Sequence, residues 1–506
     1  MGTVIKQVLR KIDEAMDRKA FGDALALIED HAITIFSSHD IKPVMCLVQK
    51  IPDEYYFTSQ QKLIKGWLAF LCGENLLLGQ VLSEVTESTL KTAIESSLFY
   101  SLKAITTFMN SQIDGLKYAK LSVDVLTIDC DSFYLANAKL TYGQLLSSVG
   151  EHKKAAHEFY TAYHLFKQSK SYFPAVVSLV NYGLKKHAMG EVLDVIEVFR
   201  SELKAYSSPE QNRIFELLKL PLGIALFELN KQSIAIDCLE NVKTLLYSMD
   251  YVHMFGVLEM HLVYAYAIAR RFDKAYALID ELSARLVKLH YDQILNLCAA
   301  MRVHLSLLEG KPLSRVDCEL LEVDHMMNGA ETSSSILLTL ARLKLSGNLE
   351  NFDMDNLLAC QKSLESIGNV PNSQSADILV SEYFYHKGDM ASSKEYLLKA
   401  VAIYDTHRLS ARFLIEKADC LSLLKDINKD LFNLIDKKTE QGSTLLTQRE
   451  LEILGLIAQG YSNEQISKQL YIGIGTTKWH INNIFSKLEV KRRSQAIAQA
   501  RKAGLL

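Results

Sequence analysis

The chain has 506 residues, 49% of them hydrophobic and 23% charged, with a formal net charge of −3. That composition excludes a disordered or fibrous chain, and the length exceeds one compact domain, so two or more units or an extended array is expected. Only 7 prolines and 23 glycines punctuate it, which favours long helices over a strand-and-turn architecture.

The N-terminus, "MGTVIKQVLRKIDEAMDRKAF", mixes acids and bases and carries no apolar signal core. Its Met-Gly start lacks the hydroxyl residue that myristoylation needs. No apolar run approaches the roughly 18 to 20 residues that span a bilayer, so a cytoplasmic protein without membrane contact is expected. The 8 cysteines are scattered without a C-x-x-C pair, so they read as small core residues, and no metal or cofactor is expected.

The body repeats itself. "YGQLLSSVGEHKKAAHEFYTAYHLF", residues 142–166, is an apolar helix, a turn at Gly150, and a second helix with Ala155, Phe159 and Ala162 on one face. Steps of 40 residues find the same pattern around Asn110, Gly190, Asn230 and Arg270, and Gly310, Gly347 and Gly388 continue it. Three first helices share Tyr142-Gly143, Tyr182-Gly183 and Leu222-Gly223. Gly or Asn at the turn accepts the left-handed backbone that ends a helix, and a small residue lets two helices approach. One such pair cannot bury its own apolar face, so pairs must stack, which predicts an all-α solenoid of about 40-residue helix pairs.

This template resembles the tetratricopeptide repeat, with a period nearer 40 than 34. The resemblance is good over residues 100–282 and 380–405 and weak before 100 and over 310–375. It implies a curved array over 1–435 whose first helices bind a small-molecule, peptide or protein ligand. By repeat position the lining candidates are Asn137, Gln144, His187, Glu228 and Tyr264. "HEFYTAYH" at 157–164 invites a zinc-protease reading, but Thr161 stands where the second histidine is required. With no nucleophile elbow, dinucleotide fingerprint or P-loop in the chain, an enzyme is not expected.

A polar stretch around Gly442 predicts a linker over 436–445. Beyond it the charge changes sign. Residues 444–506 hold nine Lys/Arg against four Asp/Glu, a net of +5, which leaves 47 against 55 and a net of −8 on the body. A basic tail on an acidic body suggests a polyanion as its partner. Capping boxes at Thr447/Glu450 and Ser462/Gln465, with a stop at Gly460, predict helices near 448–459, 463–470, 474–488 and 493–503 within a domain spanning 446–506. In the third of these, Thr477, Ile481, Ile484, Phe485 and Leu488 share one face, while Trp479, Asn482 and Asn483 share the other.

A short helix, a turn and a helix with a polar outer face is the plan of a helix-turn-helix reader. Asn482 and Asn483 suit adenine and Trp479 a thymine methyl, with Thr476, Lys478, Lys487, Arg492 and Arg493 placed for phosphates. The motifs "LTQRELEIL", "GYSNEQI", "GTTKWHINNIFSKLEV" and "RSQAI" resemble the LuxR-type DNA-binding domain. The resemblance implies base and phosphate contacts at Thr476, Lys478, Trp479 and Asn482, and a dimer face at Ala496, Ile497 and Ala500. Trp479 replaces a residue that is usually small or β-branched, which implies an unusual base preference. The whole arrangement is similar to MalT-like activators without their ATPase module. It implies a bacterial regulator that binds double-stranded DNA as a homodimer and works with RNA polymerase. A repeat scaffold whose tail docks on protein is the alternative.

Overall fold

The computed structural model describes residues 2–502, except 109, 128–130, 207–211, 250–253, 289–294, 324–329, 441–447, 471–473, 489 and 491. Among the described residues every regular element is helical. The chain divides into two compact units, Met1–Cys420 and Leu421–Leu506. The break falls before the helix Lys429–Glu440, so the stretch expected as a linker begins inside a helix.

In the first unit, helix pairs follow one another with the expected period: Ser132–Ser148 with His152–Gln168, Tyr172–Ala188 with Val192–Ala205, Lys219–Glu228 with Gln232–Met249, and Phe255–Ile268 with Phe272–Lys288. Leu295–Glu309, Ala330–Leu345 and Val370–His386 are the later first helices. The turn residues Gly150, Gly190, Asn230, Arg270, Gly310, Gly347 and Gly388 all have positive φ. At several of them the next residue donates its N–H to the carbonyl five positions back, as Glu151 does to Leu146 (3.0 Å) and Arg271 to Tyr266 (2.8 Å). These bonds satisfy carbonyls that the helix end leaves open. Arg270 occupies the left-handed region at φ 59° without glycine's freedom, in a turn closed by its own N–H to the Ala267 carbonyl at 3.0 Å as well as by the Arg271 bond.

Close approach explains the shared glycines. A Cβ on Gly143 would lie 2.8 Å from the Phe159 ring, and one on Gly183 would lie 2.5 Å from Phe199. The first hundred residues are also helical and join the same core through Ile12, Leu25, Ile35, Leu63 and Trp67, although their helices are less regular in length. The array also returns on itself: the His407 ring nitrogen lies 3.2 Å from the Gly190 carbonyl, 217 residues away in sequence.

Candidate nucleic-acid interface and the inner face of the repeats

In the second unit the helices Gln448–Ala458, Asn463–Gln469, Ile474–Lys487 and Arg493–Lys502 lie within one or two residues of their expected bounds. Ile453, Leu454, Ile457, Ile466, Ile481, Ile484 and Leu488 form their core. Gly460 ends the first helix at φ 89°. Ser462 caps the second reciprocally: its Oγ accepts from the Gln465 N–H at 3.2 Å, and Gln465 Oε1 accepts from the Ser462 N–H at 2.8 Å. The expected cap at Thr447 and the turn over 471–473 lie outside the described residues.

The helix Ile474–Lys487 has two distinct faces. Thr477, His480, Ile481 and Ile484 are buried, whereas Gly475, Thr476, Lys478 and Asn482 are exposed and Asn483 is half-buried. Lys478 and Asn482 are four residues apart, hence about 6 Å apart along one side of the helix. The side chains of Trp479 and Lys487 lie outside the described set. An exposed strip that carries an amide, a cation and a hydroxyl, on a helix whose other face is anchored in a core, can hydrogen-bond to base edges and phosphates.

Three expectations require correction. Arg493 is half-buried and donates through Nη2 to the Tyr461 carbonyl at 2.8 Å, so it fastens the last helix to the turn before Ser462 rather than standing free for phosphate. Arg492 beside it is exposed. Ala496 and Ala500 are 0% exposed and belong to the core of their own unit, so a partner cannot reach them in the folded protein. Ile497 is partly buried against that core, and the outward positions of this helix include Ser494, Ala498, Gln499 and Arg501.

The five residues expected to line the repeats fall into two places. Asn137 and Gln144, on the helix Ser132–Ser148, border a cavity of about 370 Å³ with an aromatic wall. Glu228 instead meets a segment of the chain itself, residues 407–420, and His187 and Tyr264 are linked to that segment through Glu228 and His304. Glu228 is 0% exposed and paired with Arg412, with His187 Nε2 3.0 Å from its Oε1, so it is no open groove wall. Burial alone would raise this carboxyl; Arg412 and His187 outweigh that and hold it at about 2. The Tyr264 hydroxyl lies 3.0 Å from His304 Nδ1, and His304 Nε2 lies 3.0 Å from the Ile415 carbonyl. Arg342 donates to Glu416 at 2.8 Å, and Glu382 accepts the N–H groups of Asp419 (3.0 Å) and Cys420 (2.8 Å).

The walls therefore bind this segment through both its backbone and its side chains, across successive first helices. His187, Glu228 and His261 each bring one ligand atom within 4.8 Å of the others, as a cation site would require. The Arg412 guanidinium already supplies positive charge to Glu228. Sequence reading missed Arg342, Arg412 and Glu416. The only local signal was a pair of opposite charges inside the apolar run "SARFLIEK", which says nothing of distant partners.

Residues 444–500 match the family of bacterial regulatory proteins, luxR family. The response regulator protein VraR of Staphylococcus aureus and that of Staphylococcus epidermidis are each 52% identical over 64 residues. That segment is 13% of this chain and 31% of those regulators, so the likeness covers under a third of their length. A Rap protein complexed with competence and sporulation factor is similar over 76% of this chain and 99% of its own, at 11% identity and a TM-score of 0.44. The apo form of RapI is similar over 80% and 98%, at 11% identity and a TM-score of 0.38. The C-terminal unit thus carries a luxR-family helix-turn-helix, joined to an all-helical repeat unit. Among the described residues no helix is long and apolar enough to cross a membrane.

Proposed function

We propose that this protein is a sequence-specific DNA-binding transcription regulator whose helical-repeat unit senses a ligand or partner protein and controls the C-terminal helix-turn-helix. The observation that carries the reading is the two-faced helix Ile474–Lys487: one face buries Thr477, His480, Ile481 and Ile484 in the core of its unit, and its exposed face offers Thr476, Lys478 and Asn482 together. The net +5 of residues 444–506 adds long-range attraction to a polyanion. In this reading Asn482 reads a base edge, Lys478 and Thr476 hold the backbone, and Arg492 adds a flanking phosphate contact. Two copies bind paired half-sites through the outward side of the helix Arg493–Lys502, and promoter-bound protein acts on RNA polymerase.

Genome-wide DNA occupancy of the full-length protein, beside a Lys478→Ala/Asn482→Ala double variant, tests this. Sharp peaks that vanish in the variant are expected. On a recovered site, Asn482→Ala alone should cost about 1 to 3 kcal/mol and relax the sequence preference at one position. Log affinity should also fall steeply with log salt, because phosphate contacts release counterions. Flat occupancy for both proteins, and for the unit lacking the repeats, would favour a scaffold whose tail docks on protein.

A further inference from the structure

Two cavities adjoin in the N-terminal half of the repeat unit. The first, of about 370 Å³, is bordered on one side by Phe36, Trp67, Phe70, Phe133 and Phe173, and also meets polar residues that include Asp40, Lys42, Asn137 and Gln144. The second, of about 460 Å³, shares Ser38, His39, Ser248 and Met249 with it. Each lies within the size range of sites that hold small organic ligands.

Their chemistries differ. Among the described residues the ionisable groups of the second cavity are His39, Lys170 and Arg213, without a carboxylate, while the first cavity adds one of each sign, Asp40 and Lys42. That bias stands out on a body that carries −8 overall. Hydroxyl groups fill much of the remaining wall, including a hydrogen-bonded chain from Ser37 to Ser171 (2.8 Å) and from Ser169 to Ser171 (3.1 Å). Arg213 is held toward the same wall by Ser248, at 3.0 Å. In the first cavity Trp67 is only 4% exposed, and its indole N–H has no acceptor among the described residues.

We propose that the two cavities form one binding site for an amphipathic organic anion. A flat or apolar body lies against the Phe and Trp walls, and a carboxylate or phosphate head meets Lys170, Arg213 and the serine hydroxyls. The proposal deepens the ligand-sensing part of the function proposed above and rests on it. Its test involves no DNA, so it fails independently of the DNA-binding reading.

The experiment uses the full-length chain with Trp479→Phe, which leaves Trp67 as the single indole of the two present. The probes are 8-anilinonaphthalene-1-sulfonate and the uncharged N-phenyl-1-naphthylamine. The anionic dye should quench Trp67 emission and bind about fivefold more tightly than the neutral one, roughly the upper worth of one exposed charge pair. Lys170→Glu/Arg213→Glu should abolish that preference and leave the neutral dye's affinity within about twofold. Both residues are exposed, so the exchange does not threaten the core. Displacement by 1-naphthylacetate assigns a carboxylate head, and displacement by 1-naphthyl phosphate assigns a phosphate. Absence of Trp67 quenching, equal anionic binding after charge reversal, or displacement by neither competitor would overturn the proposal.

Discussion

Gly183→Ala separates local helix preference from packing. Gly183 lies inside the helix Tyr172–Ala188, where alanine should by itself gain about 1 kcal/mol over glycine. The added methyl, however, would lie 2.5 Å from Phe199 Cζ, 2.8 Å from Phe199 Cε2 and 2.7 Å from Pro221 Cβ. Phe199 is 0% exposed and the Pro221 ring has fixed geometry, so neither neighbour can rotate away cheaply. The helices must part instead, and overpacking of this kind costs about 1 to 3 kcal/mol. With two rigid contacts the upper part of that range applies, leaving a net loss of about 2 kcal/mol. Gly79→Ala, in the helix Asn75–Glu84 with nothing within 4 Å of the new carbon, is the matched control and should gain about 0.5 to 1 kcal/mol. Urea unfolding followed by far-ultraviolet circular dichroism would measure both, provided the slope is unchanged. A Gly183→Ala midpoint equal to wild type, or raised as much as that of Gly79→Ala, would refute the account of why glycine recurs at this repeat position.

The pH dependence of stability should fall away on both sides. On the acid side, burial, then His187 and Arg412, hold His261 at about 3, and burial, then Arg342, hold His304 at about 3. Their folded-state values lie below the ordinary 6.5, so stability is lost as pH falls from about 6.5 through 3. On the alkaline side, burial pushes Glu259 from 4.5 up to about 8, so stability is lost as pH rises across that interval. Above the histidine window, from about pH 6.5 to 8, melting temperatures should therefore decline, and Glu259→Gln should lessen that decline; an unchanged alkaline limb in that variant would contradict the assignment. Ser462→Ala removes one half of a reciprocal cap and should cost about 1 kcal/mol, seen as faster hydrogen exchange in the helix Asn463–Gln469. Unchanged exchange there would mean that packing through Ile466 sets the helix start without the cap.

Patterns that are local in the chain are legible in the sequence. The 40-residue period marked the repeat turns because ending a helix makes a demand on one residue and its immediate neighbours. The capping box at Ser462 and the stop at Gly460 placed the helix-turn-helix within a residue or two for the same reason. The buried stripe through Thr477, Ile481 and Ile484 followed from the helical period alone. Helix ends and faces depend on residues three to five positions apart, which a sequence displays directly. Pairings across the array do not. Small residues at Ala496 and Ala500 suit a dimer seam and a tight core equally, and only the packing of four helices decided for the core. Glu228 occupied a position where a repeat exposes side chains, yet the array returns on itself and brings Arg412, 184 residues away, against it. That return is the sum of small rotations between successive helix pairs, each set by side-chain volumes on both faces. No short stretch of sequence records the sum, so the buried charges of residues 407–420 and their partners were decided by the tertiary structure alone.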